Sequence, residues 1–295
     1  MANHKFSTNE NGIMSVATAD GTDARAKVDG EGPAILIIHP GMSCVKDYDK
    51  VSNLLKHRFQ VVRIFRRQYR SDLKSNVRVG SPCTVADEVS HVLAIAETLE
   101  KAVLIYGHSS GGVVALETLV ASQSLFVSGM IYEPASVIKD SDGLFLAGER
   151  IPHNGGVGEG LARMRQALES GKPGKALSIF TQYIAGMPGL LADFAGGVAA
   201  LFTEYRDRIP FQIDDLEAME RLGLRLDAYA NLSLPIAMVC GERSSKYLKD
   251  IDAAVANALP MAERVTLVKQ AHSSHSRDPA QLAKVIEDFA DKAFS

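Results

Sequence analysis

Six residues constrain this chain most: Gly107-His108-Ser109-Ser110-Gly111-Gly112, set between an unbroken apolar run at 102–106 and an apolar helical stretch at 111–121. An apolar run of that length without alternation reads as a strand covered on both faces of a parallel sheet. A G-x-S-x-G sequence at the junction of such a strand with a helix is what a nucleophile elbow requires. The serine must occupy a strained turn with Oγ exposed, so the residues two before and two after it must be small. Gly107 and Gly111 meet that condition. Ser109 is the candidate nucleophile, and the backbone N–H of Ser110, at the helix start, is a candidate oxyanion donor.

The rest of the chain supplies a setting for that turn. Short β-rich runs at 13–19 and 24–28 flank the turn Asp20-Gly21, and buried runs follow at 34–38, 59–65 and 128–132. Helical patterns fall between them, at 47–55 and from Thr84-x-x-Asp87, a capping box, through 99. Strand and helix alternate at βαβ spacing, which predicts an α/β fold with a doubly wound, mostly parallel sheet. From 135 to 231 the buried-strand signal stops and amphipathic helical segments take over, such as 160–168 and 175–184. Strands resume at 235–240 and 264–268, and a helix closes the chain at 279–294. The expected organisation is a core formed by 1–134 and 232–295, with 135–231 inserted as a helical cap.

Composition narrows the function classes. The chain has 295 residues, 46% hydrophobic and 23% charged, proportions that exclude a disordered, collagen-like or coiled-coil protein. A formal net charge of −3 without a long basic run argues against nucleic acid as partner. Cys44, Cys83 and Cys240 form no CxxC pair, which points to reduced thiols rather than a disulfide framework or zinc site. The polar start, residues 1–12, lacks the apolar core of a signal peptide, and no apolar stretch is long enough to span a membrane. The expectation is a cytoplasmic protein with no membrane partner, no cofactor and no metal, its self-association left open.

A serine nucleophile needs a base, ordinarily a histidine presented after the last strand. His272, just beyond the 264–268 run and ahead of the final helix, fills that position, and His275 three residues on is its competitor. In the loop after the 34–38 strand, Gly41 and Met42 are the candidates for a second oxyanion donor, and the sequence does not choose between them. Cys44 reads as a small apolar filler.

These motifs together, His39-Pro40-Gly41, Gly107-His108-Ser109-Ser110-Gly111-Gly112 and Gln270-Ala271-His272, resemble the α/β-hydrolase superfamily with a helical cap. The basic stretch Arg67-Gln68-Tyr69-Arg70-Ser71 looks like that superfamily's R-G-x-G-x-S turn, with Gln68 and Arg70 in place of glycines. Most members carry the triad acid in a Gly-x-x-Asp pattern after the penultimate strand. Here the pattern reads Gly241-Glu242-Arg243-Ser244, with serine at the acid position. Haloalkane dehalogenases and zearalenone-type lactonases instead place the acid at the end of the strand after the nucleophile, and Tyr132-Glu133-Pro134 resembles that arrangement. Glu133 is therefore the favoured acid and Glu242 its alternative.

The expected activity is that of a serine hydrolase cleaving a carboxylic ester or lactone of a small apolar molecule through an acyl-enzyme. Serine at 109 excludes the alkyl-enzyme chemistry of the aspartate-nucleophile dehalogenases. A C–C bond hydrolase and an amidase fit the same residues. A non-catalytic small-molecule receptor is the reading if no carboxylate reaches the histidine. Cap residues Met164, Phe180, Tyr183, Met187, Leu190, Phe194, Phe202 and Tyr205 are expected to be mostly core, with about a third facing an enclosed pocket.

Overall fold

A computed structural model describes residues 7–70, 83–99, 102–141, 143–146, 149–150, 158–185 and 189–295. In it the apolar runs become neighbours in one sheet. The strands begin with β1 (Ser7–Thr8), β2 (Ile13–Ala17), β3 (Asp23–Asp29) and β4 (Ala34–Ile38). They continue with β5 (Gln60–Phe65), β6 (Val103–His108) and β7 (Ser128–Tyr132). After the short β8 (Ile138–Asp140), β9 (Gly143–Leu146) and β10 (Glu149–Arg150) come β11 (Ile236–Gly241) and β12 (Ala262–Leu267). Among the described residues the main sheet has the order β1-β2-β3-β5-β4-β6-β7-β11-β12. Pairing is antiparallel from β1 to β5 and parallel from β5 through β12.

Alternation decides which layer each side chain joins. Ile35 and Ile37 of β4, with Tyr106 and Tyr132, point to a core shared with α1 (Asp49–Leu55) and the C-terminal helix. Leu36 and Ile38 point the other way, to a second core shared with α2 (Val85–Ala96) and α3 (Ser110–Ser122). Every residue of β4, β6, β7 and β11 is buried, which is why these segments read as continuous apolar runs. The capping box that opens α2 forms as expected: Thr84 N–H donates to Asp87 Oδ2 at 2.8 Å and Asp87 N–H to Thr84 Oγ1 at 3.2 Å.

Between β7 and β11 lie α4 (Glu159–Glu169), α5 (Pro173–Ala185), α6 (Gly189–Ala199), α7 (Thr203–Leu222) and α8 (Leu226–Tyr229). The remaining helices are α9 (Lys246–Ala258), α10 (Ser274–Arg277) and α11 (Pro279–Ala293). The region expected to be purely helical also holds the antiparallel sheet β10-β9-β8. Strands of two to four residues leave no apolar run for a sequence to display. Helices α4, α5 and α7 share a core of their own, in which Met164 packs with Ile209, Ile213 and Leu216. Phe180 and Tyr205 line the central cavity, but Leu190, Phe194 and Phe202 are exposed rather than buried. An apolar residue at helical spacing marks a face without saying whether a partner covers it. Met187 lies outside the described residues, as does residue 71 of the basic turn. Among the described residues no helix is long and apolar enough to cross a membrane.

Candidate active site

The turn from β6 into α3 carries Ser109 at φ 56° and ψ −125°, a region L-residues rarely adopt. Its strain is held by backbone bonds on both sides: Ser109 N–H donates to Tyr132 O at 2.9 Å, and Ala135 N–H donates to Ser109 O at 3.1 Å. The two flanking glycines are required by proximity. A Cβ on Gly107 would meet the carbonyl of Gly111 and the methyl of Ala115 at 2.6 Å; one on Gly111 would meet the carbonyls of His39 and Ile38. Ser110 opens α3, so its N–H has no acceptor within the helix.

Glu133 follows β7 directly, also at positive φ (43°), and its side chain is fully buried. Its Oε2 lies 2.6 Å from Nδ1 of His272. Its Oε1 accepts from Gly241 N–H at 2.7 Å, from the Ser244 hydroxyl, and from the Cys240 thiol at 3.4 Å. Burial alone would raise this carboxyl, but the bonds from His272, Ser244 and Gly241 outweigh it and hold Glu133 below the usual glutamate value. Glu242, the alternative acid, is exposed and accepts from Lys269 N–H at 2.6 Å. The structure therefore brings Glu133, not Glu242, to the histidine. Ser244, the serine of the Gly241-Glu242-Arg243-Ser244 pattern, donates its hydroxyl to the carboxylate that arrives from the end of β7.

His275 stacks on Tyr48 with ring centroids 5.1 Å apart and lines the same cavity as His272. Burial pushes it down to about 4, so near pH 7 it is a neutral ring. His108 is fully buried, bonded through Nδ1 to Tyr48 Oη at 2.9 Å and stacked on Tyr132; burial, followed by its histidine neighbours, holds it well below its ordinary value. His108 also lies edge-on to His272, with ring centroids 4.7 Å apart.

Ser109, Ser110, Gly41, Met42 and His272 all line one cavity of about 550 Å³, which α5, α7 and α9 also line. Phe180, Leu216, Leu248 and Ile251 supply apolar walls, and Asp47, Arg208 and Gln212 supply polar groups. Met42 has φ 54°, and its carbonyl accepts from Arg208 Nη1 at 3.1 Å. The cap residues Arg208 and Gln212 were not legible as site residues, because charged and amide side chains on an amphipathic helix ordinarily read as its wet face. Cys44 is more than a filler: Arg208 Nη2 donates to its sulfur at 3.3 Å.

Arg66, just ahead of the basic stretch, and Gln68 within it face the interior. Arg66 is fully buried and bidentate to Glu88, and Gln68 donates to the Phe211 carbonyl of the cap at 3.0 Å. Gln68 thus ties the segment after β5 to α7.

Comparison with known proteins agrees with this architecture. The model of the alpha/beta hydrolase family matches residues 35–285. The uncharacterized hydrolase YraK of Bacillus subtilis (strain 168) is 30% identical over 114 residues, 38% of this chain and 40% of that protein, so the match spans less than half of the relative's length. An alpha/beta hydrolase from Sphaerobacter thermophilus DSM 20745 superposes with a TM-score of 0.75 at 21% identity, covering 94% of this chain and 99% of that one. The enol-lactonase from Burkholderia xenovorans LB400 superposes with a TM-score of 0.67 at 14% identity, covering 94% and 99%. With its family model spanning strands β4 to β12, the chain belongs to the alpha/beta hydrolase family.

Proposed function

We propose that the chain is a serine hydrolase that cleaves a carboxylic ester or lactone of a small, largely apolar molecule. The observation that carries this reading is the 2.6 Å pairing of His272 Nδ1 with the buried Glu133 carboxylate, in a cavity that Ser109 also lines. Ser109 Oγ attacks the acyl carbon while Nε2 of His272 takes its proton. Glu133 holds the proton on Nδ1 and stabilises the imidazolium that forms. The tetrahedral oxyanion receives the N–H of Ser110 and that of Gly41 or Met42. His272 then returns its proton to the leaving alcohol, and water repeats the sequence to release the acid.

The cavity volume suits a small molecule, and Phe180, Leu216, Leu248 and Ile251 give it apolar surface beside the polar groups of α7. The lactone emphasis rests on the Glu133 placement, similar to that of zearalenone-type lactonases, and on the enol-lactonase among the structural neighbours. A carboxylate on the histidine favours turnover over a binding-only role. The test is labelling with a fluorophosphonate followed by peptide mass mapping and a panel of esters, lactones and anilides. Adduct at Ser109, abolished by His272→Ala, with hydrolysis of esters or lactones, is the expected result. Folded protein that neither labels nor hydrolyses any member of the panel overturns the proposal.

A further inference from the structure

Behind the oxyanion-binding backbone lies a buried polar cluster that the proposed chemistry does not use. Asp215 of the cap helix α7 is 1% exposed. Its carboxylate accepts from Ser110 Oγ at 2.6 Å, Tyr69 Oη at 2.8 Å and Arg66 Nη2 at 2.8 Å. Arg66 in turn donates through Nη1 to Ser110 Oγ at 2.8 Å and to the His39 carbonyl at 3.3 Å. His39 leads into the Gly41–Met42 loop, and Ser110 is the residue after the nucleophile. One guanidinium and one cap carboxylate therefore grip both segments whose N–H groups would face an oxyanion.

The same face of α7 repeats this attention at helical spacing. Arg208, Gln212 and Asp215 stand at i, i+4 and i+7, and each reaches the oxyanion region. Arg208 binds the Met42 carbonyl. Gln212 packs so closely on Gly41 that a Cβ there would lie 2.7 Å from its carboxamide carbon. Burying a guanidinium among carboxylates is a poor route to stability, since apolar packing of equal volume does as well or better. What such a cluster does supply is directional, inflexible geometry, and here it is applied to the donors.

We propose that Asp215 is a positioning residue of the oxyanion hole, acting through Ser110, so that the hole is complete only with α7 of the cap seated on the core. The proposal rests on the serine-hydrolase reading. In relation to the reaction, Asp215 touches no reacting atom; it fixes the backbone that does.

The experiment is steady-state hydrolysis of a p-nitrophenyl ester by wild type, Asp215→Asn, Ser110→Ala and the double variant, with thermal melts of each. Asp215→Asn is expected to lower kcat about tenfold, a fraction of the loss seen when a whole oxyanion donor is removed, with KM within about twofold. Ser110→Ala removes the hydroxyl link but leaves the Arg66–Asp215 ion pair, so it should fold and show a similar kcat loss. The double variant should be no slower than the worse single variant, because both cut one connection. An unchanged kcat in Ser110→Ala, a loss confined to KM, or multiplying losses in the double variant overturns the proposal. Should Asp215→Asn fail to fold, Ser110→Ala alone decides. Wild type that is folded yet neither labels at Ser109 nor turns over overturns the hydrolase reading and this proposal together; an active wild type with unaffected variants overturns this proposal alone.

Discussion

The carboxylate of Glu133 and the imidazole of His272, 139 residues apart in sequence, meet at 2.6 Å. The meeting is set by strand order: β7 and β11 are parallel neighbours, β12 follows β11, and the loop after β12 returns over their carboxyl ends. Ligands of open α/β sheets bind at that edge.

Glu133→Gln keeps the size of the side chain and removes the charge that opposes the imidazolium. Its kcat is expected to fall about 10³- to 10⁴-fold, while Glu242→Gln, altering an exposed residue, stays within about twofold. Parallel kcat measurements on the two variants check the assignment, and the reverse ranking would move the acid to Glu242.

Ser244 donates to the Glu133 oxygen opposite the one that faces His272. A carboxylate grown from position 244 should reach the same space. Ser244→Asp placed in a Glu133→Ala background is therefore expected to recover at least about tenfold of the lost kcat. No recovery, with the double variant folded by circular dichroism, would show that the two acid positions are not interchangeable here.

Gly111→Ala drives a methyl to 2.6 Å from the Ile38 carbonyl, a backbone atom that cannot step aside. A loss of about 3 kcal/mol in urea unfolding is expected. Gly197 of α6 meets nothing within 4 Å and has no positive φ, so Gly197→Ala should gain about 0.5–1 kcal/mol through helix propensity. The opposite signs make the pair a direct check on helix–strand approach at the elbow.

Acid should destabilise the fold before most of its carboxylates titrate. Burial lowers His39 to about 3 and His91 and His275 to about 4, with Arg66 adding to the effect at His39 and Arg67 at His91, while Asp47 opposes it at His275. Between the ordinary histidine value near 6.5 and these folded values the unfolded chain binds more protons than the native one, so stability falls as pH falls. Asp252, raised to about 6 by burial despite its Arg264 partner, works in the opposite sense below that value. His108 is lowered in the same sense and Glu88 raised by burial in the sense of Asp252, so the histidines outnumber the raised carboxyls and leave a net loss on the order of a few kcal/mol between pH 6.5 and 4. Urea midpoints at pH 7.5, 6, 5 and 4 read it directly; a flat series would show these rings charged in the native state.

The sequence by itself determined the features that local spacing records. The elbow is legible because steric demands around Ser109 act within two residues on either side. The buried strands are legible because coverage on both faces removes polar residues from a continuous run. The helical segments between β7 and β11 are legible where such runs stop, though the small antiparallel sheet among them is not. Tertiary structure alone decided which partners met. Arg66 adjoins the basic stretch at 67–71, where a charged side chain is expected in water, yet it is buried against Asp215, 149 residues away. Ser244 reads as a missing acid, yet it serves an acid supplied by another strand. Leu190 and Phe194 read as core and stand exposed on α6. In each case the side chain's meaning depends on the group across the interface, and a sequence pattern records one side of an interface only.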